Sequence, residues 1–183
     1  MDTYRKMTKA LYRANESFAK VEGFFISISM AILTVVMTYQ VITRYFLGIP
    51  ATWAEEFCRY LFIWTSYIGG AYAVFHWNHI EIDLMDNIIR KRAGDPERAL
   101  RVLRKVSILL VVAFLAYFLS VYSAFVQQIA AHGQKSAAMK IDMLIPMYSG
   151  IAGIVLMIIH GITLILMPEE DRGSTAEKEG KAE

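Results

Sequence analysis

The stretch FFISISMAILTVVMTYQVIT, residues 24–43, decides the fold of this chain, because it holds 20 residues without Asp, Glu, Lys or Arg. A helix needs about 20 apolar residues to cross the roughly 30 Å hydrocarbon core of a bilayer. Further uncharged runs of 16, 26 and 25 residues occupy residues 60–75, 106–131 and 143–167. The sequence therefore predicts an all-α membrane protein with four transmembrane helices.

The predicted spans fill most of the chain. We place them at about residues 22–46, 54–76, 104–130 and 142–167, all within a single transmembrane domain of residues 1–167. Hydrophobic residues make up 56% of the sequence, and this leaves no room for a sizeable soluble domain.

Basic residues are divided unevenly between the two sides of the predicted bundle. Fifteen of the 19 Lys and Arg residues fall in residues 1–23, in the loop 76–105 and in the tail 168–183, and the other four, Arg44, Arg59, Lys135 and Lys140, lie toward the opposite side. Basic residues near helix ends stay cytoplasmic, so both termini are predicted to lie inside. The tail is charged and nearly free of apolar residues, which predicts disorder. The net charge of +2 gives no reason to expect a nucleic-acid partner.

Two amphipathic segments are predicted to lie on the inner membrane surface, one before the first span and one between spans 2 and 3. The alternative for the first segment is a simple helical extension of the first span. A Trp residue stands at each end of the second span, where aromatic side chains favour the headgroup region. The predicted membrane-interface anchors are Phe18, Trp53, Trp77, Ile80, Leu84 and Ile88.

A charge cluster marks the start of the second span. Glu55 and Glu56 precede Arg59 by four and three residues, so both carboxylates are within reach of its guanidinium on a helix. Arg44 ends the first span on the same side, and Trp53 lies beside the acids. We interpret these five residues as a structural or subunit-interface cluster. An ion-coupling site is disfavoured, because the acids lie near the surface and have a cationic neighbour.

The sequence predicts no chemistry of the chain's own. His160 alone among four histidines lies well inside an apolar run, and we expect it to be a hydrogen-bonded packing residue and not a haem ligand. Cys58 is the single cysteine, so no intrachain disulfide can form. There is no phosphate-binding loop and no metal-ligand cluster. We expect no catalytic, substrate-binding or metal-binding residue and no cofactor, and the chain is not predicted to be an enzyme.

Several short motifs occur in a characteristic order. They are Arg44-Tyr45-Phe46, Trp53 with Glu55-Glu56, Arg59-Tyr60, Gly69-Gly70-Ala71 and His79-Ile80-Glu81-Ile82-Asp83. In this order and spacing they resemble the small membrane subunit of TRAP (tripartite ATP-independent periplasmic) transporters. The four-span layout over residues 20–167 agrees with the resemblance.

The resemblance implies a set of partners and a place in the cell. The chain would form a stable heterodimer with a large membrane subunit in the bacterial inner membrane, and a periplasmic substrate-binding protein would dock transiently. The complex would take up a carboxylate, such as sialic acid or a C4-dicarboxylate, driven by an ion gradient. The small subunit would be a static scaffold for an elevator-type large subunit and would hold no substrate.

Two other functions compete with this one. The first is a self-sufficient, oligomeric small transporter or channel, which would show uptake without any partner. The second is a redox membrane anchor, which would show a haem absorption band.

Overall fold

The structure is a computed structural model that describes residues 2–76 and 96–166, with side chains from residue 10 onward except that of Glu97. The described residues form four helices: α1 (Asp2–Phe46), α2 (Thr52–Phe75), α3 (Pro96–His132) and α4 (Leu144–Leu166). Within these ranges there is no β-strand beyond an isolated bridge in the loop before α4. The all-α class is confirmed for this part of the chain.

Three of the helices are long and apolar enough to cross a membrane. They are α1 from Ala10 to Phe46, α3 from Arg98 to His132, and α4 over its whole length. The fourth, α2, has 24 residues, or about 36 Å, but its many Gly, Ser, Thr, Tyr and Trp residues make it less apolar than these three. Four transmembrane helices therefore remain a prediction.

The first helix is longer than the sequence suggested. It continues for 45 residues, or about 67 Å, through the segment that we expected to form a separate amphipathic helix. That prediction is wrong, and the helical extension of the first span is what the structure has. Because α1 contains no proline and only one glycine, Gly23, the sequence permits an uninterrupted helix. The hydrogen bonds of Asn15 and Glu22 to His160 hold this segment along the bundle. The predicted second surface helix, with Trp77, and the tail 168–183 lie outside the described residues.

One narrow stripe of α1 faces the rest of the bundle. Its members alternate in spacing between three and four residues, a period of 3.5 that is typical of coiled-coil seams. They are Tyr12, Asn15, Ala19, Glu22, Ile26, Ser29, Leu33, Val36, Gln40 and Thr43, all buried or half-buried. Through this stripe α1 packs along α2 and also touches α4.

The central helix is α4, which packs against both α2 and α3 and has the most buried span. Close approach depends on its small residues, which are Ser149, Gly150, Gly153 and Gly161. A Cβ added at Gly153 would lie 2.8 Å from the backbone oxygen of Tyr67, so the backbones of α2 and α4 meet there.

Two short loops lie at the same end of the bundle, which we call the loop end. The first, between Phe46 and Thr52, contains Gly48 at a φ of +65°, a left-handed conformation that favours glycine. The second, residues 133–143, is closed by the bridge between Lys135 and Asp142. The Asp142 carboxylate accepts a hydrogen bond from the backbone N–H of Leu144 (2.9 Å) and so caps α4.

Candidate functional site

The structure divides the predicted charge cluster into separate contacts. Arg59 pairs with Glu55 across one helical turn, with 3.2 Å between Nη2 and Oε1. Both side chains are well exposed, Arg59 at 64% and Glu55 at 61%. Neither Glu56 nor Arg44 joins this pair. The helical spacing therefore identified one real ion pair, and it lies on the surface of the bundle.

Glu56 turns away from Arg59 and holds the second loop. Its side chain is only 9% exposed. Oε2 accepts hydrogen bonds from the backbone N–H groups of Ala138 and Met139, both at 2.8 Å, and Oε1 accepts one from the Tyr60 hydroxyl. The same hydroxyl lies 3.4 Å from the sulfur of Met143. We call Glu56, Tyr60 and the N–H groups of residues 138 and 139 the loop-end cluster.

Arg44 and Trp53 lie apart from the ion pair of Glu55 and Arg59. The Arg44 guanidinium carbon lies 5.8 Å from the ring centre of its neighbour Tyr45, and in the described residues Arg44 forms no ion pair with Glu55 or Glu56. The Trp53 ring lies 6.0 Å from that of Tyr39, so it links the beginning of α2 to the last turns of α1. About half of Trp53 is exposed, as is Phe18 near the other end of α1.

A second polar cluster lies at the opposite end of the bundle, around His160 of α4. The His160 side chain is fully buried. Its Nδ1 lies 2.7 Å from Oδ1 of Asn15, and its Nε2 lies 2.9 Å from Oε1 of Glu22. The ring of Phe75, in the last turn of α2, stands 5.5 Å from the imidazole. We call Asn15, Glu22 and His160 the His160 triad.

The triad is the site that sequence reasoning only half found. His160 is confirmed as a buried, hydrogen-bonded packing residue, but its two partners were not identified. The available signal was the spacing of Asn15, Ala19 and Glu22, which places two polar side chains on one face of α1 around a small residue. Because the first apolar run starts at residue 24, Glu22 resembled the solvated boundary of the span, whereas it is 5% exposed.

The triad is also incompletely satisfied. Nδ2 of Asn15 and Oε2 of Glu22 are buried without a hydrogen-bond partner in the described structure. Asn15 is 3% exposed, so neither atom is open to solvent. Buried polar groups are nearly always hydrogen-bonded, and exceptions are informative.

Large apolar side chains cover the outer faces of α1 and α3, which flank the centre of the bundle. In α3 the rings of Phe114, Phe118, Tyr122 and Phe125 follow one another at centroid distances of 5.9–6.3 Å. Tyr122 points inward and donates a hydrogen bond to the Met147 carbonyl (3.1 Å), whereas the other three rings are exposed. Phe114 and Tyr117 are among the most exposed aromatic residues of this helix. In α1 the exposed residues include Val35 and Phe46. We call these two surfaces the apolar flanks.

A small pocket between α2, α3 and α4 is lined by apolar residues, among them Val74, Val112, Met157 and Leu164. Among the residues that the structure describes, those that line the pocket carry no polar side chain. Cys58 is buried in the core and its thiol is free. The chemistry visible in the described bundle is therefore that of packing, with polar groups gathered at its two ends.

Comparison with known proteins identifies the family. The family model for the DctQ component of tripartite ATP-independent periplasmic transporters matches residues 33–167. The chain belongs to this family. The match includes Glu56 and His160 but begins after Asn15 and Glu22, so it covers only one of the three members of the triad.

A curated relative supports the same assignment over a shorter region. It is the sialic acid TRAP transporter small permease protein SiaQ of Vibrio cholerae serotype O1, 34% identical over 64 residues. The aligned region covers 35% of this chain and 37% of the length of that protein. Both comparisons thus support the small membrane subunit of TRAP transporters that the motifs in the sequence predicted.

Proposed function

We propose that this chain is the scaffold subunit of its TRAP transporter. It binds the large elevator-type membrane subunit in a stable heterodimer and keeps the static part of that subunit in place while the mobile part carries substrate. A periplasmic binding protein delivers the substrate, and an ion gradient drives uptake. The chain itself holds no substrate.

The apolar flanks carry this proposal. An elevator needs one part that stays still in the bilayer, and a scaffold needs surface for another protein's helices. In the described bundle, α1 and α3 each leave a long apolar face exposed while α4 occupies the centre. Phe114, Tyr117 and Phe125 of α3 are exposed, and there they supply contact area to lipid or to a partner.

The polar groups support the same conclusion because they are engaged within the chain. Glu56 binds the second loop, and His160 binds two side chains of α1. The pocket between α2, α3 and α4 has an apolar wall. A carboxylate substrate needs convergent polar groups to replace its hydration, and these features offer it none.

The proposal includes a topology of four spans in the bacterial inner membrane with both termini in the cytoplasm. Reporter fusions test it. A periplasm-active alkaline phosphatase fused within residues 133–143 should be active, and the same enzyme fused after residue 183 should be inactive. Activity of the C-terminal fusion would contradict the topology.

Co-purification tests the scaffold role. We expect the chain to co-purify with the large membrane subunit of the same transporter through detergent extraction and size-exclusion chromatography, at one copy of each. The matched control is an unrelated four-span membrane protein carrying the same tag. Failure to co-purify with the cognate large subunit would contradict the proposal.

Reconstitution separates the scaffold from a self-sufficient transporter. Liposomes that contain both subunits, supplied with the binding protein and an ion gradient, should accumulate substrate, and liposomes that contain the small chain alone should not. Uptake by the small chain alone would establish the alternative of an oligomeric small transporter or channel. An absorption band of haem in the purified chain would instead establish a redox anchor.

We propose a carboxylate substrate, with sialic acid as the first compound to test, because the curated relative is a sialic acid transporter component. A C4-dicarboxylate is the second. Competition in the complete liposome system distinguishes the two: unlabelled sialic acid, but not succinate, should reduce uptake of labelled sialic acid. Uptake of labelled succinate that is reduced by unlabelled succinate, but not by sialic acid, would assign the dicarboxylate.

A further inference from the structure

We propose that the first four turns of α3 form a binding site for an anionic phospholipid. Basic side chains there bind the phosphate of the headgroup, and the apolar side chains beside them contact the acyl chains. This inference goes beyond the proposed function and does not rest on it, because a single helix of this chain forms the site.

The basic side chains of the site form a stripe along α3. Arg98, Arg101 and Lys105 are spaced by three and four residues, so they lie on one side of the helix, and all three are exposed. We call them the basic stripe, which is about 10 Å long. An arginine has five N–H donors, so a guanidinium that contacts a neighbour in the chain still has donors for a phosphate.

Exposed apolar side chains lie beside the basic stripe and continue beyond it. Val102 is 59% exposed and stands between Arg98 and Lys105 on the helix surface, and Leu109, also at 59%, follows one turn later. Lys105 is the last Asp, Glu, Lys or Arg of α3. The face therefore changes from cationic to apolar at one point along the helix. A phospholipid has the same order of groups, an anionic phosphate followed by acyl chains, and so complements both parts at once.

A second helix changes from charged to apolar at the same depth. In α1 the exposed Lys20 is followed by the exposed Val21 and lies two residues before the contact of α1 with Nε2 of the triad histidine. In α3, Lys105 lies three residues before Ile108, whose side chain is 3.9 Å from a Cβ added at Gly161, the residue after that histidine. The agreement of two separate flanks places the bilayer surface, where lipid phosphates lie, at this level.

The cations are more concentrated on α3 than on α1. The exposed Lys20 pairs with Glu16 of its own helix at 2.7 Å. Residues 96–105 instead contain four basic residues and one acid, Glu97. Each Lys or Arg near a membrane surface raises the affinity for anionic lipid by about fivefold. The basic stripe is therefore the stronger of the two candidates for a bound anionic headgroup.

The experiment measures lipid contact by fluorescence quenching in liposomes. The full chain, with its three tryptophans replaced by Phe, receives one reporter, Leu109→Trp, beside the basic stripe. The bilayers are phosphatidylcholine that contains brominated phosphatidylcholine or brominated phosphatidylglycerol at equal mole fraction, because bromine quenches an indole that it touches. We expect the anionic lipid to bind beside residue 109 about fivefold or more tightly than the zwitterionic lipid.

Val121→Trp is the matched reporter. Val121 is exposed on the same helix about 18 Å farther along, beyond the last charge of α3. The two lipids should quench this reporter equally. Equal quenching by both lipids at residue 109, or the same preference at both positions, would overturn the proposal. This comparison decides the question without any change in the basic stripe.

Charge substitutions then locate the phosphate. In the chain with the reporter at residue 109, Lys105→Gln should lower the preference for phosphatidylglycerol by about fivefold. Lys20→Gln is the matched control, since it removes an exposed lysine at the same depth of α1, a helix that does not contact α3 in the described residues. It should leave the preference unchanged. Equal losses in the two variants would show a general effect of surface charge and would overturn the site.

Two further arms distinguish other occupants. Inorganic phosphate should lower the preference no more than sodium chloride of the same ionic strength, and a greater loss would assign the stripe to free phosphate. In liposomes with the assembled large subunit, brominated phosphatidylglycerol should still quench the reporter at residue 109. Loss of quenching by both lipids on assembly would assign this face to the large subunit. Failure of the two chains to assemble would contradict the proposed function and not the lipid site.

Discussion

The two buried polar clusters lie at opposite ends of the bundle and satisfy a carboxylate in opposite ways. In the loop-end cluster, Glu56 receives hydrogen bonds from two backbone N–H groups and a phenol. In the His160 triad, Glu22 faces one imidazole and leaves its second oxygen unpartnered. Glu56 is held by neutral donors, whereas Glu22 depends on a partner that can itself carry charge.

The difference shows what each cluster does for the fold. Backbone N–H groups are fixed in direction, so the loop-end cluster sets the conformation of residues 133–143 against α2. The triad joins side chains that are 138 and 145 residues apart in sequence, so it fixes the contact between α1 and α4. The first cluster shapes a surface loop, and the second aligns two long helices.

Removal of His160 tests the triad with the largest expected effect. His160→Ala leaves Glu22 and Asn15 buried without their partner, and breaking a buried pair in this way costs about 3–5 kcal/mol of unfolding free energy. Unfolding in mixed detergent–SDS micelles at pH 6 measures the loss. His132→Ala is the control, since His132 is exposed and hydrogen-bonds through Nδ1 to the carbonyl of Gln128 one turn earlier. Similar losses in both variants would show that the triad has no special role.

Removal of Glu56 tests the other cluster. Glu56→Ala deprives the N–H groups of Ala138 and Met139 of their acceptor, and loss of hydrogen bonds to a charged group costs about 1.5–3 kcal/mol. The loss should be smaller than for His160, because loop N–H groups at the surface can recover water. Hydrogen exchange of residues 133–143 should accelerate. The neighbouring change Glu55→Ala should leave that exchange unaltered, and faster exchange there would contradict the assignment.

The contrast between the clusters also explains which parts of the fold were readable from the sequence. Helix content follows from apolar runs, so it was predicted. Glu56 was assigned to Arg59 because helical spacing shows which residues are neighbours one turn away. It does not show that a loop about 80 residues later in the chain contacts Glu56. The partners of His160 were also missed, because Asn15 and Glu22 are distant from it in sequence and precede the first apolar run.

The length of α1 shows a second limit of prediction from the sequence. A polar stripe with basic residues is compatible with a surface helix and with a straight extension, and the sequence contains no breaker that separates the two. What decides between them is the tertiary contact of Asn15 and Glu22 with His160, which holds residues 15–22 along the bundle axis. Composition alone does not contain that contact.

Between the clusters, glycines bring α2 and α4 together, and a substitution there should cost an intermediate amount of unfolding free energy. In Gly153→Ala the new Cβ would lie 2.7 Å from the Cβ and 2.8 Å from the backbone oxygen of Tyr67, so the helices must separate. Overpacking of this kind costs about 1–3 kcal/mol. Gly69→Ala is the matched control, because its nearest neighbour, Cδ1 of Ile26, is 4.0 Å away. Gly69→Ala should be neutral or slightly stabilising, and a comparable loss in both variants would contradict close approach at residue 153.

The smallest loss of unfolding free energy in the isolated chain is expected at Arg59, although its spacing from Glu55 predicted an ion pair most directly. Arg59→Ala removes an exposed ion pair with Glu55, and such pairs contribute less than about 1 kcal/mol. Glu56 keeps its loop partners in this variant, so exchange in residues 133–143 should not change. A loss of several kcal/mol would show that Arg59 also compensates Glu56. If Glu55 and Arg59 lie at the interface with the large subunit, the same substitution should reduce co-purification while the stability of the chain alone is unchanged, and a double-mutant cycle with Glu55→Ala would locate that loss in the pair.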